Sequence, residues 1–245
     1  MSDPNQADQP PVAADAIIES DVTLIGRLLP PAVHTAESYG DVVTAPLWPA
    51  EQTHIARAVF HRQREFATVR ACARQALAQL GRPPSAILPG QRGAPQWPPG
   101  ISGSMTHTKG YRAAAVAETS LVPSLGIDAE AALPLREGIL GHVASADEIA
   151  HLAELTDQDR VDRPGLPPRP WDRLLFSAKE AVYKTWFPLT ERWLGFEDAR
   201  LRFQPTGHFT IELLVDTDQT DVDWGQLDGR WLVDRGLIIT TVVLR

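Results

Sequence analysis

Two long stretches with helical period, each followed by strand-like runs, constrain the fold of this chain more than any other feature. In the first, residues 51–80, Ile55, Val59, Phe66, Val69, Ala73, Leu77 and Leu80 recur at helical spacing, and Gly81 with Pro83 ends the run. The second covers residues 171–187, with Asp172 as the expected N-cap and Pro188 as the stop. Between them, residues 111–117 and 122–127 read as strands. Ser145 and Glu148 form a capping box that opens a short helix. After the second helix, residues 201–203, 209–215, 230–233 and 237–244 read as strands of an antiparallel sheet. The order helix, strands, helix, strands predicts an α+β protein of two similar-sized halves, residues 15–122 and 123–245, joined near Ser120–Ser124. Residues 1–14, rich in Pro, Asp and Gln, read as a disordered lead.

With 43% of its 245 residues hydrophobic, the chain has enough apolar material for a sizeable core. Cys72 is the single cysteine, which excludes an internal disulfide framework and fits a reducing compartment. No stretch reaches the length of a membrane-spanning helix, and residues 1–9 carry acids but no Lys or Arg, unlike a secretion signal. A soluble cytoplasmic protein is expected. The net charge of −8 argues against nucleic acid as the main partner, because phosphate backbones require a basic footprint. The charge is uneven, however. Residues 51–100 hold Arg57, Arg62, Arg64, Arg70, Arg74, Arg82 and Arg92 against only Glu51 and Glu65, which suits either a small polyanion or a solvated helix face.

Three segments carry residue types that could do chemistry. In Gly126–Ile127–Asp128–Ala129–Glu130, alternation along an extended chain puts Asp128 and Glu130 on one face, roughly 6.5 to 7 Å apart. Two carboxylates on one face suit Mg²⁺, which binds a few carboxylates together with phosphate and water; a solvated strand end is the alternative. In Phe176–Ser177–Ala178–Lys179–Glu180–Ala181–Val182–Tyr183–Lys184, Glu180 and Lys184 stand four apart, the spacing of a helix ion pair. Lys179 adds a second cation that such a pair does not explain. The third segment is Arg92–Gly93–Ala94–Pro95–Gln96–Trp97–Pro98 followed by Gly103–Ser104–Met105–Thr106–His107. Small residues there let backbone amides approach an anion, and His107 can hydrogen-bond a phosphate. Other phosphate and metal chemistries lack their marks: G-x-x-x-x-G-K-[ST] and H-E-x-x-H are both absent, and no two histidines stand at ligand spacing.

Taken in order, the arginine helix, R-G-A-P-x-W-P, G-S-M-T-H, G-I-D-A-E and F-S-A-K-E-A-V-Y-K-x-W-F-P resemble the 4′-phosphopantetheinyl transferases that activate surfactin and enterobactin synthetases, most closely those of actinobacteria. The resemblance covers the chain from about Leu28 to its end and includes Trp193–Leu194–Gly195–Phe196–Glu197–Asp198–Ala199. It implies two pseudo-twofold-related halves with the active site in the cleft between them. It also implies transfer of the phosphopantetheine of coenzyme A to a serine of an apo acyl or peptidyl carrier protein, by a monomeric enzyme using Mg²⁺, for which Mn²⁺ substitutes. Carried over by position, Asp128, Glu130 and Glu180 are the implied metal carboxylates, with Glu180 and Lys184 catalytic. Lys179, Lys184 and His107 are implied at the phosphates, Ser104 near the adenosine end, and Arg62, Arg70 and Arg92 at the 3′-phosphate and pyrophosphate. One position departs from the pattern: Ala94 stands where many members carry a basic residue.

Overall fold

The computed structural model describes residues 23–218 and 220–245, so the expected lead at 1–14 lies outside the described residues. The chain divides into two units, the first ending at Ser120 and the second beginning at Leu121.

The first unit is an antiparallel three-stranded sheet faced by a helix. Its strands are β1 (His34–Ser38), β2 (Ile101–Thr108) and β3 (Tyr111–Glu118), in the order β1-β3-β2. The central strand, β3, carries Ala113, Ala114, Ala115, Val116 and Ala117, all fully buried. Such small side chains let the facing helix α2 (Phe60–Gln79) lie close, and Cys72, Ala73, Ala76 and Leu77 of α2 form the core with Ala114, Val116, Ile87 and Ile101. The expected single helix over 51–80 is broken. A short α1 (Pro49–Ile55) ends before α2 begins, and the Gln63 side chain caps the carbonyls of Ala56 and Ala58 in the gap. No Gly or Pro marks this break, so helical period alone runs through it. The G-S-M-T-H segment lies within strand β2. Gly103 is required within it: a Cβ there would lie 2.8 Å from the ring of Trp97, whose indole N–H donates to the Gly103 carbonyl at 2.9 Å.

The second unit is a five-stranded antiparallel sheet in the order β4-β8-β7-β6-β5. The strands are β4 (Ser124–Ala131), β5 (Ala199–Gln204), β6 (His208–Leu213), β7 (Leu227–Asp234) and β8 (Leu237–Leu244). Three helices accompany it: α3 (Leu140–Val143), α4 (Ala146–Asp162) and α5 (Trp171–Thr190). The capping box on Ser145 and Glu148 opens α4, which is longer than expected. Helix α5 is capped by the backbone at Pro170, not by Asp172, and runs through Pro188 into its last turn. The carboxylate of Asp172 instead accepts from the Leu135 backbone, tying the chain after β4 to the helix start. Apolar residues of α5, among them Leu174, Ala178, Ala181 and Trp186, join Leu201, Phe203, Ile238 and Val242 of the sheet in the larger core. Helix and sheet approach closely at Gly126, where a Cβ would fall 2.0 Å from the Ala181 carbonyl. Only glycine permits that approach.

The structure is thus α+β, with a sheet and a long helix in each unit. Among the described residues no helix is long and apolar enough to cross a membrane.

Candidate functional site

The close helix–strand contact at Gly126 brings a polar stripe of α5 against the carboxylates of β4. Along α5, Arg173, Ser177, Glu180 and Lys184 are spaced four, three and four apart, so they form one stripe on an otherwise apolar buried helix face. That stripe meets Asp128 and Glu130, which share a face of β4. Lys184 Nζ donates to Asp128 Oδ1 at 2.7 Å and to the Ile127 carbonyl at 3.1 Å. Ser177 Oγ donates to Asp128 Oδ2 at 2.8 Å. Arg173 Nη1 reaches Glu130 Oε2 at 3.2 Å, while its other nitrogens donate to the carbonyls of Leu133 and Pro134.

The expected alternative for Glu180, a plain ion pair with Lys184 within the helix, does not form: Lys184 is turned to Asp128. Among the described residues Glu180 makes no hydrogen bond and no ion pair. Burial pushes its pKa up; the nearby Lys184 counters this and the Asp128 charge adds to it. Glu130 is likewise raised, by burial first and Asp128 second, against the opposing pull of Arg173 and Lys184. Two half-buried carboxylates therefore sit beside a third with less positive charge than they need. Hard oxygen donors short of countercharge are the chemistry that Mg²⁺ satisfies. As they stand, however, the side chains do not close on an ion: among the described residues no three of His, Cys, Asp and Glu form a ready metal cage. Lys184 and Arg173 hold Asp128 and Glu130 in its place.

Lys179, one residue before Glu180, points the other way. It is 4% exposed, and its Nζ donates to Glu148 Oε2 at 2.9 Å and to the carbonyls of Val143 and Phe196 at 2.8 and 2.7 Å. Glu148 in turn accepts from the backbone of Ser145 and Leu201. All three ammonium protons are engaged inside the protein, so the structure places Lys179, expected by a phosphate, where it ties α5 to α4 and to the chain entering β5.

The first unit brings together a second cluster. Arg62, on the first turn of α2, hydrogen-bonds His107 Nε2 at the end of β2, and both stand beside Glu65 Oε2, at 3.3 and 3.7 Å. The other oxygen of Glu65 is held at 3.3 Å by the buried Arg112, which also pairs with Asp41 at 2.7 Å. The side chains of Arg62 and His107 are 44% and 38% exposed, so this pair can meet a ligand from solvent. Arg92 is exposed as well, at the tip of a loop whose ends bridge at Pro89 and Pro95, with a left-handed φ of 53°.

Arg70 is not with them. It is 4% exposed, stacks on the Phe66 ring, donates to the Ile87 carbonyl at 2.8 Å, and lies 3.8 Å from Glu51. Burial pulls its pKa down to about 10. Glu51, fully buried, also accepts on both oxygens from Nη1 of Arg74. Two of the four arginines of α2, Arg70 and Arg74, therefore neutralise one internal acid, so the structure places Arg70, expected at a phosphate, in a packed internal cluster. Ser104 is buried within β2.

Sequence reasoning missed Arg173, Ser177, Glu65 and Arg112. The first two were visible as continuations of the Glu180–Lys184 stripe; the other two had no local signal.

Comparison with known proteins adds to this geometry. Residues 50–117 match the family model of the 4′-phosphopantetheinyl transferase N-terminal domain, and residues 124–242 that of the 4′-phosphopantetheinyl transferase superfamily. The chain is 46% identical to the 4′-phosphopantetheinyl transferase Svp of Streptomyces mobaraensis, over 90% of this chain and 89% of that one. It is 46% identical to PptT of Mycobacterium tuberculosis, covering 91% of this chain and 98% of the relative. For Npt of Nocardia iowensis the identity is 44%, over 89% and 99%.

Proposed function

Since the chain belongs to the 4′-phosphopantetheinyl transferase superfamily, and so transfers phosphopantetheine from coenzyme A to carrier proteins, we propose that it works through the carboxylate seam between β4 and α5 with Mg²⁺ as its metal. The observation that carries this reading is Glu180: a half-buried carboxylate with a raised pKa, no bonded partner among the described residues, and Asp128 and Lys184 beside it.

In the overall reaction the serine oxygen of the apo carrier forms a bond to the phosphorus that bears pantetheine. The bond from that phosphorus to the bridging pyrophosphate oxygen breaks, and adenosine 3′,5′-bisphosphate leaves. The serine proton must go to a base. Glu180 suits the task by its place, a carboxylate beside Lys184 and Asp128 that no hydrogen bond engages among the described residues. Lys184 already faces this group of acids and offers positive charge to the phosphates as negative charge builds on the leaving oxygen. Asp128, Glu130 and Glu180 would hold the Mg²⁺, whose contribution when bound is to neutralise pyrophosphate charge. For them to do so, Lys184 and Arg173 must give up part of their hold on Asp128 and Glu130. Arg62 and His107, with Arg92 on its loop, would bind coenzyme A phosphates in the first unit, and Ser104 would lie near the adenosine end. Glu65, braced by Arg112, keeps Arg62 and His107 together.

The enzyme is taken to act on acyl or peptidyl carriers as a cytoplasmic monomer, a setting in which a single buried thiol, Cys72, raised to about 12, stays reduced and inert. Mass spectrometry of an apo carrier protein incubated with coenzyme A tests the whole reading. One phosphopantetheine should be added per carrier with Mg²⁺ or Mn²⁺ and none in EDTA. Full loading in EDTA would remove the metal from the account while leaving the transferase activity in place.

A further inference from the structure

Asp128 receives two hydrogen bonds from α5, one on each oxygen: Lys184 on Oδ1 and Ser177 on Oδ2. Ser177 is fully buried, and its Oγ also lies 2.8 Å from Thr240 Oγ1. Thr240 is the residue directly opposite Asp128 across β4 and β8, and it too is fully buried. A serine hydroxyl has one proton. Since Ser177 gives that proton to Asp128, the proton in the Ser177–Thr240 contact must come from Thr240. The three side chains thus form a directed relay, Thr240 to Ser177 to Asp128, in which both hydroxyls are fully buried.

We propose that Ser177, itself oriented by Thr240, is a positioning residue that fixes the rotation of the Asp128 carboxylate so that Oδ1 faces the metal. This rests on the metal reading above. Holding Oδ2 leaves Oδ1 as the oxygen that must pass from Lys184 to the cation, and it removes the rotational freedom that the carboxylate would otherwise lose on binding. Outer-shell hydrogen bonds of this kind are worth about 10- to 100-fold in metal affinity.

The test is Mn²⁺ binding, followed by electron paramagnetic resonance with coenzyme A present, beside turnover at saturating Mn²⁺. Ser177→Ala should raise the Mn²⁺ Kd about tenfold or more, while kcat at saturating metal stays near wild type. Thr185→Val serves as the matched control. It removes another buried hydroxyl from the same helix, one that bonds the Ala181 and Val242 carbonyls and not Asp128, so its Mn²⁺ Kd should stay at the wild-type value. Should Ser177→Ala fail to fold, Thr240→Val, which keeps the Ser177–Asp128 bond but frees its orientation, should still weaken Mn²⁺ several-fold. A Kd unchanged in the folded Ser177 variant, or unchanged in Thr240→Val when that variant stands in for it, overturns the proposal and leaves the metal site standing. A wild-type protein that binds no Mn²⁺ overturns the metal reading itself.

Discussion

Helices α2 and α5 each carry cations that leave the solvent, and they use them in opposite ways. In α2, Arg70 and Arg74 converge on Glu51, a fully buried acid whose remaining valence is met by the backbone of Trp48 and Ile87. That cluster is closed around its acid: two arginines and two backbone amides meet the one carboxylate, and every partner is internal. In α5, Lys184 and Arg173 meet Asp128 and Glu130, but Glu180 is left over with a raised pKa. That cluster is open by one carboxylate. The same contrast holds within α5, where Lys179 and its partner Glu148 form a closed pair, five residues from Lys184 in the open one. A helix cation beside a buried acid therefore says little about function. An acid left without its counterion says more, because its cost is tolerated only where something else is to bind.

The largest effect that separates closed from open clusters should come from Lys179. Lys179→Met leaves Glu148 buried without its cation and should cost about 3–5 kcal/mol of stability in a denaturant titration. If instead turnover collapses while stability stays at the wild-type value, Lys179 works on the ligand and the closed-pair assignment is wrong. Next in size is a pair of arginines. Arg62→Ala should weaken coenzyme A binding by about 1.5–3 kcal/mol, measured calorimetrically, with little change in melting temperature. Arg70→Ala should do the reverse: a lower melting temperature from the disturbed Glu51 cluster and near-normal affinity in the folded protein. Equal losses of affinity in both variants would erase the distinction drawn between them.

The smallest effect concerns pH. The folded-state pKa of Glu180 is raised, so the native protein holds this proton more tightly than the unfolded chain does. Its contribution to stability is complete below the ordinary carboxylate range and is lost as pH rises through the raised value. In metal-free buffer, Glu180→Gln should therefore melt like wild type in acid and gain on it toward neutral pH. A gap that closes, or reverses, as pH rises would mean that Glu180 has a hidden partner.

The sequence made some of this readable and hid the rest for identifiable reasons. Strand alternation placed Asp128 and Glu130 on one face because that depends only on neighbours two apart. The capping box at Ser145 is equally local. Helical period could not show the break between α1 and α2, since no breaker residue marks it and the carbonyls in the gap are met by the Gln63 side chain. The partners of the charged groups are remote: Glu148 lies 31 positions from Lys179, and Glu51 lies 23 from Arg74. Identical residue types looked alike in sequence, and only the fold showed which were already neutralised. Strand β1 was missed because His34–Ser38, with its Thr, Glu and Ser, lacks an apolar run.

The open carboxylate is the centre of this account, and Glu180→Gln addresses it directly. The change keeps size and removes the charge. Single-turnover loading of an apo carrier at saturating coenzyme A and Mg²⁺, measured beside a thermal melt, should show a rate lower by roughly a hundredfold or more, the scale of a lost general base, in a protein at least as stable as wild type. A rate within about threefold of wild type would contradict the claim and return Glu180 to the structural part of the helix.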